Sequence, residues 1–410
     1  MGRLGYYGED GEKLRMVEKK KEEKSSEKKD SKARNAFSFI FLVSVVFLIA
    51  TLTVLSVLKS GQLEFNFEDI KSAVAMITGE EQAVPKDKAT PLSTVLSGGS
   101  AYAYVPCSRY LYVSSGQDIT VYDPSGKAVH REIIEITAPI TAYNAEIALI
   151  GDRDQKTVYV YKGMKRIALL ELTGTIRYMS VNSKGYIAVL CDDTNAYSKI
   201  SFFDSSGKKI CDVYKRESVA VNAAVLSSGK EYTVNSVKTS GTGIETILEF
   251  SDFIAEAADA GHIVQNELFS VLFPLENGNL ITGNEKGIYC FNGNAESVWK
   301  KETGKMITVS PIKNGLVYAY IDSQGQCHTV FADYEGNTLQ EHIYGTNIVS
   351  IRTYDDIAAV NYGREVLFYN TEGTLSIKYS SKSDVLDVFP LGRTHAVSVT
   401  ELDMTYIKLF

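Results

Sequence analysis

One short pattern recurs along most of the chain: a strand that ends on an aromatic, then Asp or Asn, then a turn that reaches Gly. It reads VYDPSG at Asp123, FFDSSG at Asp204, CFNGN at Asn292, FADYEG at Asp333 and FYNTEG at Asn370. Two less regular copies, VYKG at Lys162 and EFSDF at Ser251, fill the gaps, and the last copy reaches Phe410 in YIKLF. The steps between these anchors are 39, 42, 47, 41, 41, 37 and 40 residues. A fixed period of this size restricts the fold before any local propensity is weighed.

Each hairpin is preceded by short alternating runs such as YLYVSS, YIAVLC and IAAVN, and followed by another such as TLSIKY. Four short strands per period, separated by turn residues, predict the blades of a β-propeller. A single sheet of this kind cannot bury both faces, so the blades must stack around an axis. The turn chemistry agrees, because Asp or Asn opens such a turn and Gly takes the positive φ that other residues resist.

Eight copies of the first three strands are present, and the eighth ends without its fourth. The expected architecture is therefore an all-β, eight-bladed propeller over residues 92–410, with LSTVLSGG (Leu92–Gly99) supplying the missing strand. Seven blades is the alternative, because the copy around Ser251 is irregular and DFIAEAADAGHIV has a helical reading.

Ahead of the repeats, Ala36–Leu58 is 23 residues without a charge. At about 1.5 Å per residue that spans a hydrocarbon core of roughly 30 Å. The run is longer than a signal-peptide core and lacks a small-residue cleavage site, which predicts an uncleaved transmembrane helix. Residues 16–35 hold eight Lys/Arg and residues 59–78 hold two. Basic flanks resist translocation, so residues 1–35 are expected in the cytoplasm as a disordered charged tail, and the propeller outside. Residues 59–91 read as a juxtamembrane helix, with Phe67, Ile70, Val74 and Ile77 at helical spacing, followed by a polar tether.

The tail carries 11 basic and 8 acidic residues, which leaves 32 basic and 42 acidic side chains for residues 59–410. An acidic body is poorly suited to a phosphate backbone, so nucleic acid is not an expected partner. The five cysteines are spread singly, and no Cys or His falls at ligand spacing. That pattern predicts neither a disulfide framework nor a metal site.

The repeats resemble bacterial propellers of the quinoprotein-like, YVTN and WD40 type, and NGNAESVWKKETG (Asn292–Gly304) is most like a quinoprotein repeat. Such repeats carry a docking Trp in each blade, whereas this chain has only Trp299, so no quinone or other cofactor is expected. The layout of basic tail, single span, tether and propeller also resembles an uncharacterised family of bacterial membrane-anchored propellers. That resemblance implies a place in the cell envelope and no particular reaction.

No nucleophile elbow, phosphate loop or dinucleotide fingerprint is present. Charged residues instead gather where the second strand of a blade turns into the third: Asp152, Arg153, Asp154, Asp192, Asp193, Glu285, Asp322 and Arg364. These turns must emerge on one face of the ring, which makes them ligand-face candidates. The expected function is a membrane-anchored extracytoplasmic binding or scaffold module for envelope proteins or glycans. The enzymatic alternative is a lyase or hydrolase of envelope polysaccharide that uses loop carboxylates as acid and base.

Overall fold

The computed structural model describes residues 89–92, 103–241, 243–254, 260–345 and 348–409. Within them the chain forms eight four-stranded antiparallel sheets, one per repeat. The predicted tail, transmembrane helix and juxtamembrane helix lie outside the described residues. Among the described residues no helix is long and apolar enough to cross a membrane.

Seven blades are built from consecutive strands. The first runs Ala103–Cys107, Tyr110–Ser114, Asp118–Tyr122 and Ala128–Ile133. The first strands of neighbouring blades touch one another and so ring the axis. The second and third strands are the most buried, as in Ile147–Asp152 and Ser198–Phe203, while fourth strands such as Ala128–Ile133 are largely exposed and form the rim. Burial therefore rises and falls across each sheet from channel to rim, which is how short alternating strands acquire two covered faces.

The seams between blades are the hydrophobic core. Val105, Tyr112 and Val121 of the first blade pack on Ala148, Ile150 and Tyr161 of the second. The pattern repeats with Leu190 and Phe202 against Ala223 and Val234, and with Val317 and Phe331 against Val360 and Tyr369. The five cysteines all sit in strands, unpaired, and four are buried. Burial raises the Cys107 thiol to about 11 and the Cys191 thiol to about 12, against weaker opposing contacts, so both stay protonated and serve as small apolar residues.

The eighth sheet settles the blade count. Asp387–Pro390, His395–Val399 and Met404–Lys408 are completed by Ala89–Leu92 from the other end of the propeller sequence. The pairing is antiparallel, Ala89 opposite Ile407 and Leu92 opposite Met404. The closing strand is thus ATPL, which overlaps the expected Leu92–Gly99 segment only at Leu92. Pro91 is compatible with this place because the outermost strand pairs on one side only, and such edge strands tolerate proline. Leu111, Val113, Phe389, Val397 and Tyr406 pack the closing seam. The seven-bladed alternative fails at the irregular repeat, where Val219–Val225, Glu231–Ser240, Gly243–Asp252 and Ala260–Gln265 form a full sheet. Its longer step comes from a hairpin of two ten-residue strands, and the stretch read as a possible helix ends in the strand Ala260–Gln265.

The recurring hairpin turn is built as its sequence demands. Asp123 Oδ1 accepts the N–H groups of Ser125 and Lys127 at 2.9 and 3.0 Å, and Asn370 Oδ1 those of Glu372 and Thr374 at 3.0 and 2.8 Å. The Gly at the fourth position has φ near +83°, as in Gly126 (+82°), Gly336 (+83°) and Gly373 (+84°). The glycine serves a second purpose at the seams. A Cβ on Gly336 would lie 2.9 Å from the Trp299 ring, and one on Gly373 would lie 2.6 Å from Gln340 Cβ. Trp299, on the rim strand of the fifth blade, donates its indole N–H to Tyr334 O in the same turn of the sixth at 3.0 Å. The single Trp thus docks one blade onto the next turn.

Gly325 has the same positive φ in open space, with nothing within 4 Å of a built Cβ. Gly325→Ala is expected to cost about 1 kcal/mol of backbone strain alone. Gly373→Ala adds a collision with the preceding blade and is expected to cost about 3 kcal/mol. Urea denaturation of the two variants side by side measures the difference.

The linker face as candidate functional site

Each innermost strand begins where a linker arrives from the previous blade, and the turn between second and third strands comes up beside it. Backbone hydrogen bonds tie the two together: Arg153 N–H to Ala138 O, Ser270 N–H to Gly283 O, and Val385 N–H to Gly363 O. Linkers and these turns therefore share one face, the linker face, and the recurring Asx–Gly turns lie on the other, the turn face.

All eight charged candidates are on the linker face, as their position in the repeat requires, but they are not gathered. Asp152 is fully buried. One of its oxygens accepts the Asp154 N–H at 3.0 Å and the other the Thr137 N–H of the arriving linker at 2.8 Å. The same double role falls to Asn284 in the fifth blade and Asn361 in the seventh. Asn361 Oδ1 accepts Gly363 N–H at 2.9 Å, and its amide donates to Val385 O of the linker at 2.9 Å. Asn284 accepts from Lys286 N–H and donates to Glu267 in its linker. One polar side chain closes the turn and holds the linker down.

Of the others, Asp193 accepts the Asn195 N–H, Asp192 is paired with Arg177, and Arg364 Nε donates to Asp384 at 2.7 Å. Asp322 closes its turn by accepting from Gln324 and Gln326, which together with His328 holds its carboxyl below the usual range. Arg153, Asp154 and Glu285 are exposed. Among the described residues no hydrogen bond or ion pair joins candidates from different blades, and no group of three metal-binding side chains is present.

What the face does bring together lies at the channel mouth, on the first strands of the seventh and eighth blades. Arg352 Nη2 meets Asp387 Oδ2 at 2.7 Å, and its Nε lies 3.1 Å from Oδ1. Ser350 Oγ donates to the same carboxylate at 3.0 Å. The guanidinium also lies 5.7 Å from the Phe389 ring, a cation–π distance. Burial raises the phenol of Tyr143, from the second blade, above its usual range, opposed by the nearby Arg352 charge and reinforced by Asp387. Sequence reading missed this pair, since its partners are 35 residues apart and become neighbours only when two repeats are aligned.

The linker-face loops also expose apolar side chains: Tyr197, Leu268, Val349, Leu386 and Leu402, with Val219 at the start of an inner strand. Leu402 is 70% exposed and Tyr197 65%. Loops of the turn face show Met164 and Ile254 among the described residues.

A known family model matches residues 89–409, the stretch that forms the propeller. The chain belongs to DUF5711, a family of unknown function. No curated protein sequence matches this DUF5711 member. Among solved structures it is similar to BamB from Moraxella catarrhalis, at 11% identity and a TM-score of 0.48, over 80% of this chain and 100% of that one. It is similar as well to the C-terminal WD40 domain of Sif2, at 11% identity and TM-score 0.44, over 68% of this chain and 97% of that one. BBS1N, solved in complex with ARL6DN, matches at 14% identity and TM-score 0.43, over 74% of this DUF5711 chain and 98% of its own.

The two roles of Asp152 lead to a test. Asp152→Ala strands the Thr137 and Asp154 N–H groups without their acceptor and is expected to cost about 2–3 kcal/mol. Glu285→Ala, at an exposed turn, is expected to stay within about 0.5 kcal/mol of the parent. Chemical denaturation of both checks the contrast.

Proposed function

We propose that the protein is a binding or scaffold module whose linker face docks an envelope protein, and that the run Ala36–Leu58 anchors it with the propeller outside the cytoplasm. The observation that carries the reading is the company around the Arg352–Asp387 pair. Val349, Leu386 and Leu402 stand exposed on the loops of the seventh and eighth blades that surround it. Exposed apolar groups around a polar centre suit protein contact, where a few apolar side chains supply most of the affinity and charges fix the register. The exposed Arg153, Asp154 and Glu285 would then lie at the polar rim.

The catalytic alternative needs an acid and a base free to exchange protons with a substrate. At the channel mouth the Asp387 carboxylate is occupied by Arg352 and Ser350. That arrangement favours recognition over acid–base chemistry. The anchor rests on the uncharged run of 23 residues and on the excess of basic residues before it.

Cross-linking in intact cells followed by recovery of the full-length chain should capture a partner. Leu386→Asp combined with Leu402→Asp is expected to reduce that recovery at least tenfold with little change in melting temperature, whereas Met164→Asp on the turn face should leave it intact. Equal recovery from both variants would refute the linker face as the docking surface. A carboxy-terminal tag should be digested by protease added to spheroplasts, and a protected tag would reverse the orientation.

A further inference from the structure

The sixth blade holds a histidine in a setting that neither the fold nor the docking reading uses. His328, on the third strand, is 9% exposed. Its Nδ1 lies 2.8 Å from Glu341 Oε1 on the rim strand, and its Nε2 lies 3.2 Å from Asp322 Oδ2 in the linker-face turn. Tyr320 stacks on the imidazole at 4.6 Å and donates its hydroxyl to the same Glu341 oxygen at 3.1 Å.

A neutral imidazole has one N–H and one lone pair. Between two carboxylates, one on each nitrogen, the neutral ring would aim its lone pair at a negative oxygen whichever tautomer it took. Only the doubly protonated ring satisfies both contacts. The carboxylates are held in place independently: Asp322 Oδ1 accepts the backbone N–H groups of Gln324 and Gln326, leaving Oδ2 for the histidine. The groups around the ring are Asp322, Glu341 and Tyr320, with Tyr318 on the same sheet face. Across the seam the fifth blade brings Lys301, whose ammonium lies 5.8 Å from the Tyr318 ring and donates to Thr338.

We propose that His328 is an imidazolium that clamps the Asp322 turn of the linker face to the outer strand of the sixth blade, and that loss of its proton releases the clamp. Burial opposes the charge, but the hydrogen bonds and charges of Glu341 and Asp322 outweigh it and raise the histidine above its ordinary 6.5. A group whose folded value is raised stabilises fully below its unfolded value and loses that contribution as pH climbs through the folded one. The blade-6 sector of the linker face is therefore fastened in mild acid and loosened in base.

The full-length chain labelled with 15N-histidine tests this by long-range 1H–15N correlation. His328 is assigned by the signal missing from His328→Gln. At pH 6.5 the ring should show two protonated nitrogens, with a midpoint above 6.5. Asp322→Asn removes the charge and keeps the turn, because Asn370 closes an identical turn with the same two acceptor contacts. It should lower the midpoint, as should Glu341→Gln. A single neutral tautomer dominating at pH 6.5, or a midpoint that neither substitution moves, would overturn the proposal.

Discussion

A four-stranded antiparallel sheet this small has two apolar faces and nothing of its own to cover them. Every feature of the propeller answers that constraint. Seams such as the one between Tyr112 and Tyr161, whose rings are 4.8 Å apart, give each face a neighbour. A row of such sheets would still leave two uncovered ends, and only a ring removes both. The closing seam around Leu111, Phe389 and Tyr406 is thus as much a part of the core as any other. Ala89–Leu92 makes that seam possible by completing the sheet that carries it.

The stacking also explains why polar groups near the seams are busy. Linkers cross from blade to blade over apolar ground, and their backbone groups need partners close by. Asp152 and Asn361 supply them from the turn alongside, and Asn284 holds its linker through the Glu267 carboxylate instead. A carboxylate or amide at that position is first a structural bracket, and the ligand chemistry that its charge suggests has to come from residues left over. At the channel mouth the same logic yields an ion pair bridging two blades.

The architecture was legible because its signal is local and repeated. Asp or Asn followed three residues later by Gly encodes a turn within five residues, and the copies at Asp123, Asp204, Asp333 and Asn370 report each other. The closing strand was read a few residues too late because ATPL offers no alternation and contains a proline. The roles of the charged candidates were not legible, since they depend on partners set by packing. Thr137 lies 15 residues from Asp152 in another element, and Glu341 is 13 residues from His328 across a strand pair. The apolar residues Leu386 and Leu402 carry no motif at all, and only their exposure in the folded ring distinguishes them from seam residues such as Leu391.

The closing strand has a mechanical consequence. The chain enters it at Ala89, beside Ile407, and leaves it at Leu92 on the linker face. A pull along the strand itself on the chain ahead of Ala89 loads all four paired positions together, and the blade resists in shear. A pull directed outward from the rim loads the Ala89–Ile407 position alone, then its neighbour, and peels the strand open like a tape. One four-residue strand therefore makes the ring strong under load in one direction and weak in another.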